Sequence, residues 1–346
     1  MASELILVLR DFSAIGNAPA RDALLPRLPA LETLLGRAVR APLPQGWRDH
    51  LRTRFAAAAQ LESAPAGVVA TDLDLTPAGI GTQYWLATPV HCFAGLDSVQ
   101  LHPAGLLELS VQTQSALAAE FSSVFADTPW RLHATGKREL LLSGATLAAS
   151  AADPAMSIGA DLRDGLPRGP EAATLRRLGV EIEMWLHENR INRERQSRGE
   201  LPVSGLWLWG ATTQSAPDSG ARRPIAPPSR SGPLPQHARL FGEDAYMESL
   251  WRLRGSPIAP LPDGFERIGG PAEGSSVVLY PTLGAAGPLR TFEQLEQRWL
   301  APALQALRAR RLSSLSLLAG SFAYRLTRWY LARFWRPASP WWEALA

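Results

Sequence analysis

The sequence predicts an α/β fold, with a mixed sheet covered by helices on both faces. Three observations point there. Short apolar runs such as Glu4–Leu9 (ELILVL) and Ser276–Tyr280 (SVVLY) alternate with longer segments of helical spacing, as in strands joined by helices. Several of these runs are apolar at successive positions, so a strand formed there is covered on both faces. Trp130–His133 and Glu139–Ser143 are separated by Gly136-Lys137, a hairpin pattern that makes the sheet mixed rather than purely parallel.

The elements follow in order. Glu4–Leu9 is a first strand, and a helix starts near Ala30 once Pro26 and Pro29 are passed. Trp47–Leu61 is an Ala-rich amphipathic helix. Gly67–Leu75 reads as a buried strand, and Gln83–Phe93 as another, broken at Pro89, with Val99–Leu101 pairing beside it. Gln114–Ala126 suits a helix, and the hairpin follows. Leu175, Leu178, Ile182, Trp185 and Leu186 recur on one helical face behind Pro170, and Pro202–Gly210 (PVSGLWLWG) is an internal strand with Trp207 buried. The stretch between them, His187–Gly199, has Ile191 as its only large apolar residue and reads as a polar turn. A Pro-, Ser-, Gly- and Arg-rich loop spans 211–235. Asp244–Leu253 is a short helix, Ser276–Tyr280 a strand, and Thr291–Arg311 a long helix capped by Thr291. Leu312–Leu318 is a strand, and Phe322–Trp335 fits either element. No internal repeat is visible, and the chain reads as one domain over residues 1–346.

Composition excludes several classes. At 346 residues and 46% apolar the chain supports a large core, yet no run is long enough to span a bilayer. The apolar run LILVL behind Glu4 is too short and wrongly flanked for a signal peptide. Cys92 is the single cysteine, which excludes an internal disulfide and a cysteine-based zinc site. Together these favour the cytoplasm. Net charge is +3, and the bases are arginines apart from Lys137, a bias that a GC-rich genome explains without nucleic-acid binding.

Four constellations carry chemistry. On the central helix Glu183, His187 and Glu194 stand at i, i+4 and i+11, and Glu188, Asn192 and Arg195 form a second line at i, i+4 and i+7; the competing reading is a solvated helix end held by ion pairs. Val68–Thr76 (VVATDLDLT) fits an apolar strand ending in Asp-x-Asp-x-Thr, where Asp72 would be a nucleophile and Asp74 its acid/base, as in haloacid-dehalogenase-like phosphotransferases. Asp11, after the first strand, resembles in placement the first metal ligand of two-metal enzymes of the alkaline-phosphatase type, but His50, His91, His102, His133, His187 and His237 are too scattered for such a centre. Trp299–Trp342 has seven Arg and no Asp or Glu, interleaved with Trp329, Tyr330, Phe334 and Trp335, a pattern suited to polyanions or nucleic acid.

The run EIEMWLHENRINRERQSRGELPVSGLWLWG resembles the signature of the bacterial RpfE-type regulatory protein family, often labelled cofactor-independent phosphoglycerate mutase. Asn192, Glu194, Arg198, Gly199, Leu201, Pro202, Leu206, Trp207, Leu208, Trp209 and Gly210 match. Asn189-Arg190 replaces the family's His-Pro, and Ser204-Gly205 its Asn-Ser. WLATPVHCFAGLDSVQL and Arg333-Phe334-Trp335-Arg336 resemble two further family segments. The resemblance implies a degenerate alkaline-phosphatase-like three-layer fold. It also implies a regulatory or partner-binding role without catalytic metal or other cofactor.

The site is expected where the central helix meets the turn into the tryptophan strand: His187, Glu188, Asn192, Arg195 and Arg198, with His91 and Trp130 from neighbouring strands. The expected partner is a protein or a small anionic ligand, with no membrane. The alternatives are a phosphate-ester enzyme, phosphatase or phosphotransferase, and polyanion binding by the C-terminal segment.

Overall fold

The computed structural model describes residues 3–10, 26–55, 64–75, 82–95, 98–211, 238–268, 274–281, 288–333, 335–336 and 340–344. The expected loop at 211–235 lies, apart from Ala211, outside these residues, as do Asp11, His237 and Phe334.

Two sheets carry the fold. The larger runs in the order β2 (Val39–Pro42), β12 (Phe322–Thr327), β11 (Ser314–Ala319), β1 (Ser3–Arg10), β10 (Gly274–Pro281), β8 (Ala238–Phe241) and β9 (Ile258–Ala259). From β11 to β9 neighbouring strands pair in parallel, while β12 and β2 close one edge antiparallel. The sheet is therefore mixed, as the sequence predicts.

Side chains of β1 alternate between two cores. Leu5, Leu7 and Leu9 face α1 (Pro29–Arg37), α9 (Pro288–Leu295), α10 (Ala301–Arg308) and α12 (Trp341–Ala344). Ile6 and Val8 face α2 (Gly46–Phe55), α3 (Pro65–Asp72) and α8 (Ala245–Leu253). Among the described residues no helix is long and apolar enough to cross a membrane.

The second sheet has the order β4 (Val99–Leu106), β3 (Thr82–Ala94), β6 (Leu140–Ala145), β5 (Arg131–His133), with β7 (Gly205–Trp209) on the other side of β3. One face carries α4 (Val111–Val124), α6 (Ala172–His187) and α7 (Arg190–Ser197) over Trp85, Leu140 and Leu142. The other contributes Tyr84, Leu86, Leu141 and Trp209 to the core beneath α2, α3 and α8, so the two sheets share that core.

Several expectations are corrected. Gly67–Leu75 is mostly helix α3 rather than a strand, because a short apolar run fits either period and Pro65 opens the first turn. Ala66, Val69 and Ala70 then face the core. Pro89 does not break β3. It falls at the seam where β6 gives way to β4, so its missing N–H faces no partner, while its carbonyl accepts from Leu107 at 2.9 Å.

The polar turn at 187–199 is largely α7, capped by Asn189, whose Oδ1 accepts from the Ile191 N–H at 2.9 Å. The tryptophan strand β7 is an edge strand, paired only with β3 among the described residues. Trp209 is buried, but Trp207 is only half-buried. Leu206 and Leu208 do face the opposite core from Trp209.

Thr291 lies inside α9, which starts at Pro288, so it is not the N-cap of that helix. A π turn, Glu296–Leu300, joins α9 to α10, because Pro302 has no N–H for the ordinary i→i−4 bond. Phe322–Trp335 divides into β12 and the short helix α11 (Arg328–Leu331).

Candidate functional site

The connections of the large sheet create one natural crevice. Strand β10 leads through α9 and α10 on one face to β11, whereas its neighbour β8 leads through α8 on the other face to β9. Adjacent parallel strands whose connections diverge leave an opening at their C-terminal ends, where open α/β sheets place ligands. The chain leaves β8 there through Gly242, Glu243 and Asp244.

That crevice is filled by a buried ionic cluster around Arg48. Its side chain is 3% exposed, and it donates to Asp244 Oδ2 through Nε (2.9 Å) and Nη2 (2.8 Å). Nη1 reaches both oxygens of Asp153 at 2.7 and 2.8 Å, and Nη2 reaches Glu139 Oε1 at 3.1 Å. The Trp47 and Trp209 rings lie 4.5 and 5.2 Å from the guanidinium carbon.

Local structure aims each carboxylate. Asp244 caps α8, taking the Met247 N–H on Oδ1 and leaving Oδ2 for Arg48. Asp153 caps the 3-10 turn Pro154–Ser157 through the Ala155 N–H. Glu139 stands just before β6.

Burial opposes the charge of Arg48, but Asp153, Asp244 and Glu139 outweigh it and raise its pKa well above the ordinary value. Glu139 moves the other way. Burial, then the charge of Asp244, push its carboxyl above the usual range despite Arg48 and Arg138. Among the described residues, Glu139 Oε2, Tyr246 OH and Trp47 Nε1 are buried there without a hydrogen-bond partner. Around this centre Lys137 Nζ lies 3.1 Å from Glu248, and Arg10 and Arg138 meet on Glu108 at 3.4 and 3.1 Å.

Chemically, a guanidinium holds the place that a bound cation would hold among three carboxylates. This donor set does not fit the two-metal centre of the alkaline-phosphatase resemblance. Among the described residues no group of three or more His, Cys, Asp or Glu is arranged for a metal ion, and the histidines sit on separate elements.

The residues expected to form the site at the end of α6 are partly brought together, in the geometry of a brace. Asn192 is buried; its amide donates to Leu186 O (2.7 Å) and Val203 O (2.8 Å), and its oxygen accepts from Val203 N–H (2.7 Å). Arg195 Nε donates to Leu201 O at 2.8 Å, and Arg198 pairs with Glu200 on the surface at 2.7 Å. His91 Nδ1 comes across from β3 to within 2.9 Å of Pro202 O and 3.2 Å of Ser204 Oγ. His187 and Glu188 are exposed. Trp130 is a core residue packed on Gly144, where a Cβ would lie 2.0 Å from its ring.

The Asp72/Asp74 reading is corrected by the helix beneath it. Asp72 Oδ2 accepts from Ser249 Oγ at 2.8 Å and pairs with Arg252, and Asp74 occupies a left-handed turn at φ +52°. Neither crowns a strand, so the nucleophile geometry is not formed. In the C-terminal segment Trp299 and Trp341 are core, while Trp329 is 71% exposed with Arg328 stacked 4.5 Å from its ring.

Sequence reasoning missed Arg48, Glu139, Asp153 and Asp244 as a group. One signal was readable: Arg48 shares a helix face with Leu51 and Phe55, at i+3 and i+7, which aims an arginine at the core. Nothing in the sequence joins it to carboxylates 91 to 196 residues away.

Fold and site together define an α/β protein with a mixed sheet, an accessory antiparallel sheet and an ion-paired crevice. No protein-family model matches the sequence, and no curated protein does. Among solved structures it is similar to a cofactor-independent phosphoglycerate mutase from Thermoplasma acidophilum DSM 1728, at 15% identity and a TM-score of 0.36 over 94% of this chain and 90% of that one. It is also similar to the PH0037 protein from Pyrococcus horikoshii, at 12% identity and a TM-score of 0.40 over 94% and 86%.

Proposed function

We propose that this chain is a regulatory or partner-binding protein of the RpfE type, to which its central motif is similar, and that it works without a catalytic metal. One observation carries the reading. Each carboxylate at the switch-point crevice gives an oxygen to Arg48, which supports a structural role for the cluster over metal ligation or general-base catalysis. The partner in this reading is a protein or a small anionic ligand.

Metal analysis of purified protein, with a p-nitrophenyl phosphate assay in Mg²⁺ and Mn²⁺, tests it. The expected result is no stoichiometric metal and no turnover. Metal-dependent turnover that disappears in Asp244→Asn would sink the proposal.

The second reading is a phosphate-ester enzyme. It is favoured by the gathering of Arg10, Lys137 and Arg138 near the crevice, where cations suit a phosphate. The same assay decides between the two.

A further inference from the structure

A second concavity, independent of the Arg48 cluster, lies between α6 and β7. It is a partly open groove of about 230 Å³ walled by Val90, Leu175, Val180, Leu206 and Trp207, with α5 (Leu162–Gly165) at one side. An engineered cavity of about 150 Å³ holds benzene, so this one has room for a ring and a short chain.

One charged group in it stands apart. Glu183, on α6, stands exposed at the rim and makes no hydrogen bond or ion pair among the described residues, while partial burial of its carboxyl pushes it above the usual range. The guanidinium lining the same cleft, Arg176, is two helical turns away and donates to Pro167 O at 3.0 Å. Cys92 adds no negative charge, since burial and then Glu183 push its thiol up to about 11.

Glycines keep the cleft open. A Cβ at Gly165 would lie 2.4 Å from the Trp207 ring, and one at Gly205 would lie 3.2 Å from Glu183 Cγ. Gly179 sits in mid-helix, where glycine is a poor choice, and a Cβ there would meet nothing within 4 Å. Packing therefore does not require glycine at 179, whereas an open floor does.

We propose that this cleft binds a small apolar molecule carrying a protonated amine, its ring against Trp207 and its ammonium on Glu183. An unpaired carboxylate at the rim of an apolar cleft gains most from a cationic donor, because a neutral head gives it a weaker hydrogen bond and an anionic head repels it. Trp207 presents a fixed face, since its Nε1 is tied to Ala152 O at 2.9 Å. The site uses none of the carboxylates around Arg48, so it stands or falls apart from the regulatory reading.

Calorimetric titration of the full chain with 3-phenylpropylamine, 3-phenylpropanol and 3-phenylpropionic acid tests the proposal. The amine should bind roughly tenfold more tightly than the alcohol, and the acid not at all. Glu183→Gln should bring the amine to the level of the alcohol and leave the alcohol unchanged. Gly179→Leu should abolish both while keeping the melting temperature. Equal affinity for amine and alcohol, an amine indifferent to Glu183→Gln, binding that survives Gly179→Leu, or no saturable binding at millimolar probe would each overturn it.

Discussion

Two buried polar knots hold this molecule together, and they are built on opposite principles. The Arg48 knot is ionic and joins four distant segments: α2, the turn before β6, the 3-10 turn at Asp153 and the cap of α8. The Asn192 knot is neutral and local, tying the end of α6 to the approach to β7 across 6 to 11 residues. An amide with both donors and its acceptor satisfied costs little to bury. Four charged side chains in one pocket are costly unless each is paired, and Glu139 keeps one oxygen without a partner. The ionic knot therefore fixes how the two sheets meet at a high electrostatic cost, whereas the neutral one only fixes a corner.

The largest effect should follow from Arg48→Met. Removing the guanidinium leaves three buried carboxylates facing one another, and breaking a buried pair in this way costs about 3–5 kcal/mol. Urea unfolding measures it. A loss below about 1 kcal/mol would mean that the cluster is solvated and the contrast between the knots is false. Asn192→Ala should cost less, about 2–3 kcal/mol, by leaving the Leu186 and Val203 carbonyls and the Val203 N–H unpaired. If it matched Arg48→Met, locality would be no guide to cost.

The same contrast explains what the sequence made legible. Strand β1, the β5–β6 hairpin, α4, α6 and α8 were readable because their period and caps lie within a few residues. The Asn192 corner was visible as a polar stretch beside an apolar strand, although its side chains turned out to face inward. The Arg48 cluster was not visible, because its members are joined only by the fold. Helix α3 failed for a third reason: five or six apolar residues fit both periods, and contact with α8 and β3 decided the outcome.

Acidity should separate the knots next. Glu139 is held protonated to a higher pH in the folded chain than in the unfolded one, by burial first and by Asp244 second. The folded state then binds more protons between the ordinary carboxylate pKa and the raised value. Stability from this group is greatest below that window, falls as pH rises through it, and is level above. Glu139→Gln should flatten this slope in thermal melts taken across acid to neutral pH. Asn192→Ala should lower the whole curve without changing its slope. An unchanged slope in Glu139→Gln would place the titration elsewhere, with Glu183 and Glu296 as further carboxyls of raised pKa.

The smallest expected effect decides whether the corner at Asn192 is only a brace. Arg195 is largely buried and gives Nε to the Leu201 carbonyl at 2.8 Å, so Arg195→Ala strands that carbonyl and should cost on the order of 1 kcal/mol. Arg198, three residues on, lies on the surface, where its side chain pairs with Glu200. Exposed pairs of this kind add little to stability, so Arg198→Ala should leave the melting temperature unchanged. The pair of variants therefore divides the corner into an inner arginine that holds structure and an outer one that faces solvent. Loss of partner or anion binding in Arg198→Ala, with melting intact, would make the outer arginine functional. A melting drop as large as that of Arg195→Ala would instead extend the brace to the surface, and the distinction between the two arginines would fail.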